Sequence, residues 1–193
     1  LHYWVQIFGD SEWVLRVLSA IIGSLSPLAM YWFGGRLLGR QGGVLSAFLL
    51  AISLFNIEFS QEVRAYSLMV FLTLISMLLF IRLFERFSRR VAAGYVLVTL
   101  LLLYTHFYGV FIVVMQNLFW LYLFWRRGQT FPLTVPRWLA LQALVLLLFA
   151  PWLRFLLLEV QSMQKTGVWI PLPTAVTLWQ TAVAYASNSY VLL

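Results

Sequence analysis

The chain has 193 residues, of which 63% are hydrophobic and 10% charged. A soluble domain carries roughly 25% charged residues, so this composition excludes one and marks an integral membrane protein, counted in spans. The net charge of +7 comes in small arginine groups between apolar runs rather than on one face, which argues against a nucleic-acid partner, and the lack of cysteine excludes a disulfide frame or a thiolate metal site.

Taken in order, residues 1–12 read as an outer segment at the membrane interface. Leu1, Tyr3, Trp4, Ile7 and Phe8 supply its apolar face, and Gly9-Asp10-Ser11 ends it, with Asp10 or Ser11 placed to cap the next helix. A spanning helix needs roughly 17–25 mostly apolar residues. About seven stretches meet that need: 13–34, 42–59, 64–84, 91–106, 109–125, 138–157, and 174 to the end. The expected fold is therefore all-α, a polytopic transmembrane helical bundle forming a single domain over 1–193. Residues 91–125 need a break. As one helix they would be about 52 Å long against a hydrocarbon core of about 30 Å, and Thr105-His106-Phe107-Tyr108-Gly109 is the polar, glycine-containing point within them. Gly34-Gly35 and Gly42-Gly43 read as turn residues around a basic inner turn. Residues 158–173, with Lys165, Pro171 and Pro173, read as the longest outer loop.

The arginines test this layout. Arg36 and Arg40, then Arg82, Arg86, Arg89 and Arg90, then Arg126, Arg127 and Arg137 fall on one side only if two crossings separate each group. That requires turns near 58–64 and 105–109. Basic loops favour the cytoplasm. Asp10, Glu12, Glu58, Glu62 and Glu159 then fall on or beside the other face, with Arg16, Arg64, Arg154 and Lys165.

The stretch Phe59-Ser60-Gln61-Glu62-Val63-Arg64-Ala65-Tyr66-Ser67 concentrates chemistry between two apolar runs. An ionised side chain at the bilayer centre costs about 2.5–3.5 kcal/mol, so charges kept here are used or stand at the water boundary. On a helix starting near Gln61, Glu62 and Tyr66 would share a face. Glu62 could take a proton or hold a cation, and Arg64 could grip a phosphate with forked hydrogen bonds. The plain alternative is a solvated pair that fixes a helix start. His106 could donate to a phosphate or substrate hydroxyl, or join Glu62 on a divalent metal. Its plain alternative is a bond to backbone left unpaired by the turn. No phosphate-cradling glycine loop, HExxH or GxSxG occurs.

The order of motifs carries a resemblance. G-D-S-E-x-x-L-R precedes a span, an inner G-R-x-x-G turn and a second span. S-Q-E-x-R-x-Y-S opens the third, and L-Y-T-H-F-Y-G and A-P-W-L follow. Over residues 1–173 this resembles the bacterial membrane glycosyltransferases related to the dolichyl-phosphate-mannose protein mannosyltransferases and the lipid A aminoarabinose transferase, which have the C-type glycosyltransferase fold. The resemblance implies transfer of a sugar from a polyprenyl-phosphate donor to a lipid, glycan or protein acceptor, by a multi-pass protein of the inner membrane working on the periplasmic or luminal face among membrane lipids. It implies Glu62 as an acceptor-orienting or metal-binding acid, Arg64 as a phosphate or site organiser, and Gln61, Tyr66 and His106 as substrate-binding. Asn56-Ile57 departs from the proline that relatives often carry before the motif. The family's main catalytic aspartate follows the first span, which would precede Leu1. The expectation is thus a fragment lacking that span and loop, incomplete for catalysis alone. A transporter or lipid flippase predicts charges at mid-span and paired broken helices. A non-catalytic partner that kept the fold predicts no such aspartate upstream.

Overall fold

A computed structural model describes residues 2–127, 131–166, 174, 176–177 and 179–180 of the chain, with side chains described at 4–126, 131–155 and the last five of these. The described residues form helices α1 (His2–Phe8), α2 (Glu12–Ala51), α3 (Leu54–Gln61), α4 (Tyr66–Glu85), α5 (Arg89–Thr105), α6 (Gly109–Arg127) and α7 (Val135–Thr166). The protein is an all-α membrane helical bundle. Among the described residues four helices are long and apolar enough to cross a membrane: Glu12–Ala51, Tyr66–Glu85, Gly109–Arg126 and Val135–Phe155. At 17 residues, α5 is about 26 Å long and nearly matches the hydrocarbon core.

The first two expected spans appear as one hairpin with a broken return. Inside α2, Gly39 has φ 74° and ψ 177°, a conformation that favours glycine, and the chain reverses there. The two arms then lie against each other. A Cβ on Gly43 would come within 2.7 Å of the Tyr31 carbonyl oxygen and 2.9 Å of Gly35 Cα. Gly35 and Gly43 are thus close-contact residues rather than the turn residues expected from the sequence, because the reversal itself falls at Gly39. The returning arm stops at Ala51 and resumes at Leu54 as α3, so the expected 42–59 span is interrupted.

At the chain start, α1 is pinned over α2 by Trp4 Nε1 donating to the Val14 carbonyl at 2.8 Å. Gly9, at φ 90°, lets the chain turn between them. Ser11 holds the N-cap position of α2, though its side chain makes no cap bond.

The chain divides into two compact units, Leu1–Trp152 and Leu153–Leu193. In the first, α4 is the hub, packed against α2, α3, α5 and α6. Its Phe80 and Leu83 join Tyr95, Trp120, Leu133 and Trp138 in the core. Through that core runs a polar network. Tyr95 Oη donates to Gln116 Oε1 at 2.8 Å, Gln116 Nε2 to Ser76 Oγ at 3.0 Å, and Gln142 Nε2 to Tyr95 Oη at 3.2 Å. Asn117 Nδ2 donates to Gln142 Oε1 at 3.1 Å, and Trp138 Nε1 to Asn117 Oδ1 at 3.0 Å. The network ties α4, α5, α6 and α7 where lipid offers no alternative partner. Outside, Leu38, Phe111, Leu146 and Leu147 stay exposed, as acyl chains would cover them.

In the second unit α7 continues to Thr166, so the expected outer loop 158–173 is corrected over 158–166. No glycine or proline lies between Trp152 and Thr166 to stop the helix. Residues 167–173 lie outside the described residues. At Thr174 the hydroxyl accepts from the Thr177 N–H at 3.2 Å, the pattern of a helix N-cap where the last span is expected. Nearly all of that span lies outside the described residues.

The basic groups gather at one end of the first unit. Arg36, beside the Gly39 reversal, pairs with Glu85 at the end of α4. Arg137 lies 4.5 Å over the Phe87 ring and donates to the Pro132 carbonyl at 2.7 Å. With 20 residues, α4 is about 30 Å long, so Tyr66 and the motif before it stand at the opposite end.

Candidate functional site

The motif folds as a helix end, a turn and a helix start. α3 stops at Gln61 because Glu62 is extended, with φ −83° and ψ 143°. The last carbonyls of a helix need partners. Phe59 finds one in Ser67, whose buried hydroxyl donates to it at 2.6 Å. That bond folds the start of α4 back onto α3 and leaves 62–65 as a turn. The expectation that Glu62 and Tyr66 share a helix face is therefore wrong. Tyr66 starts α4, while Glu62 caps α3. A side-chain hydroxyl has taken the carbonyl that a continuous helix would have used.

The turn puts Gln61, Glu62 and Arg64 on one polar pocket of about 470 Å³, completed by Glu58, Val63 and Arg16 from α2. Arg64 Nε stands 3.7 Å from Glu62 Oε2, an ion pair without a hydrogen bond. That carboxylate oxygen is shielded from solvent and has no hydrogen-bond partner. A solvent-shielded acceptor without a hydrogen bond is costly, and a hydroxyl brought into the pocket would supply one. Arg64 also lines a second space, a mainly apolar cleft of about 270 Å³ with Leu18, Ile22 and Leu68. Arg64 thus borders both a polar pocket and an apolar cleft. That arrangement suits a ligand with a phosphate between a polar group and a hydrocarbon chain.

Tyr66 and His106 form a separate contact. The His106 ring is 5.8 Å from that of Tyr66, which also meets Phe59 edge-on at 4.8 Å. His106 ends α5 and stacks on Phe107 at 4.8 Å. Its Nδ1 accepts from the Tyr108 N–H at 3.2 Å, the backbone bond expected of a turn histidine. The neutral ring then carries its proton on Nε2, a donor. The two breaks at 62–65 and 106–108 are therefore neighbours through Tyr66 and His106. Neither residue lines the Glu62–Arg64 pocket. Among the described residues no three His, Cys, Asp or Glu side chains gather as a metal set. The side chain of Lys165 lies outside the described residues.

Sequence reasoning missed two residues. Ser67 lay within the quoted motif, but spacing alone does not show a hydroxyl bonding eight residues back. Arg16, held by Glu12 at 2.6 Å, was read only as an outer basic residue. Its place in the G-D-S-E-x-x-L-R stretch was the available signal.

The comparisons with known proteins agree with this architecture. The family model described as dolichyl-phosphate-mannose-protein mannosyltransferase matches residues 1–155, covering both breaks and the whole pocket. No curated protein and no solved structure matches the chain.

Proposed function

From a chain that belongs to the dolichyl-phosphate-mannose-protein mannosyltransferase family, we propose a membrane glycosyltransferase that moves a sugar from a polyprenyl-phosphate donor to the hydroxyl of a lipid, glycan or protein acceptor. The observation that carries the reading is Arg64 at the junction of a polar pocket and an apolar cleft, beside a solvent-shielded Glu62 oxygen that has no hydrogen bond. In this reading the donor phosphate sits on Arg64 and its polyprenyl chain follows the cleft along Leu18, Ile22 and Leu68. The acceptor oxygen bonds to the anomeric carbon as the carbon–oxygen bond to phosphate breaks. Charge builds on the leaving phosphate, and the guanidinium stabilises it there. Glu62 takes a hydrogen bond from the acceptor hydroxyl, aims its lone pair at that carbon and takes its proton as the new bond forms. Tyr66 beside the first break and His106 at the second support the rim through their ring contact, with Gln61 offering its amide to the substrate. On the rule that basic ends favour the cytoplasm, this reading assigns the end with Arg36 and Arg137 to the cytoplasm and the pocket to the outer, periplasmic face of an inner membrane. A divalent ion in this pocket would meet the Glu58 and Glu62 carboxylates, whereas His106 does not line it.

Transfer by the full-length protein from radiolabelled polyprenyl-phosphate sugars tests this. Glu62→Gln and Arg64→Ala should each lower turnover by about 10²-fold or more, with the protein still inserted. Near-normal turnover in both variants rejects the assignment.

A further inference from the structure

A second cavity adjoins the Glu62–Arg64 pocket, and the reading above gives it no occupant. α2 and α3 touch where Gly23 meets Ser60, so closely that a Cβ on Gly23 would fall 2.0 Å from the Ser60 hydroxyl oxygen. Just beyond this contact, toward the start of α2, a cavity of about 400 Å³ opens. Trp13, Val17 and Ala20 line it from α2, and Ser60 and Gln61 from α3. Glu12 and Arg16 add a carboxylate and a guanidinium. The size falls within the range of small-ligand pockets, roughly 300–1,000 Å³. So does the chemistry: apolar walls with a few convergent polar groups.

Trp13 is 81% exposed, so its indole packs against little of the protein. A sugar ring has an apolar C–H face that lies on an aromatic ring, and hydroxyls that need a carboxylate, amide or guanidinium. The cavity offers all of these. It also shares Arg16 and Gln61 with the Glu62–Arg64 pocket. A group attached to a phosphate on Arg64 can therefore reach it across a common wall. We propose that this cavity is the subsite for the transferred sugar, with the ring on Trp13 and its hydroxyls on Glu12 and Gln61. Ala20 sets its depth. The proposal rests on the donor reading of the neighbouring pocket.

The test is photolabelling of the full-length protein in nanodiscs of phosphatidylethanolamine and phosphatidylglycerol. The probe is a polyprenyl-phosphate sugar carrying a diazirine on the sugar ring, and turnover is measured in parallel. Label is expected on Glu12–Ala20 and on Ser60–Gln61. It should fall about tenfold or more in Trp13→Ala and in Ala20→Leu, which fills the space from a wall, and persist in Trp13→Phe. Because Trp13 is exposed, thermal stability should stay unchanged in Trp13→Ala. Label elsewhere, absent, or undiminished in Ala20→Leu overturns the subsite. Transfer accompanied by label elsewhere rejects the subsite alone. A labelled cavity without transfer supports the subsite and rejects the transfer reaction.

Discussion

Ser67 shows how much one hydroxyl decides at the site. Its bond to the Phe59 carbonyl is what separates α3 from α4 and turns Glu62 and Arg64 toward the same pocket. Ser67→Ala leaves that carbonyl unpaired in a buried place, and stability should fall by about 1–3 kcal/mol, read as a lower melting temperature in detergent. An unchanged melting temperature would show that the carbonyl has another partner. The chemistry of this stretch was legible because Glu62 and Arg64 are ionised residues between apolar runs. The face of Tyr66 was not legible. Helical spacing predicts neighbours only where the helix is unbroken, and the break here depends on a side chain competing for the backbone. His106 is similar. Its isolation in an apolar run marked the turn, while its bond to the Tyr108 N–H is visible only in the fold.

The helical hairpin of α2 depends on a small residue at a close contact. A methyl group on Gly43 would press on the Tyr31 carbonyl and on Gly35 backbone, which cannot move aside as a side chain can. On Gly94 it would meet only the Leu79 side chain at 3.6 Å, an ordinary distance. Gly43→Ala should therefore lower stability by about 1–3 kcal/mol, and Gly94→Ala should be neutral or slightly stabilising. Equal melting temperatures for the two variants would contradict the packing described. The sequence already put a basic inner turn around Arg36 and Arg40, and the chain reverses there. The exact residue was less legible, because five glycines lie between 34 and 43 and only Gly39 takes the left-handed conformation. At the other extreme α7 ran past its expected end. Hydropathy marks where a helix leaves the membrane, but it does not end the helix, and no glycine or proline lies between the expected end at 157 and Gly167.

Across the molecule, polar residues inside the bundle hold the helices in order while charged ones mark its ends. Tyr95→Phe removes the bond given to Gln116 and the one received from Gln142. Interhelical hydrogen bonds in membranes average about 0.6 kcal/mol, so the loss should be about 1 kcal/mol, measured by thermal denaturation in the same detergent. A loss near zero would mean that lipid-exposed or unfolded partners replace both bonds. This network escaped the sequence reading because its Ser, Tyr, Gln, Asn and Trp members are scattered over four helices. The two ends, by contrast, followed from charge. Membership of a family of membrane mannosyltransferases fits a bundle whose conspicuous pocket stands opposite its basic end. The most direct measurement is the affinity of the full-length protein for unglycosylated polyprenyl phosphate, by native mass spectrometry. A charged hydrogen bond contributes about 1.5–3 kcal/mol, so Arg64→Ala should bind roughly 10–100-fold more weakly, while Arg90→Ala at the basic end binds as the wild type does. Equal affinity for wild type and Arg64→Ala, or a loss confined to Arg90→Ala, would contradict the account.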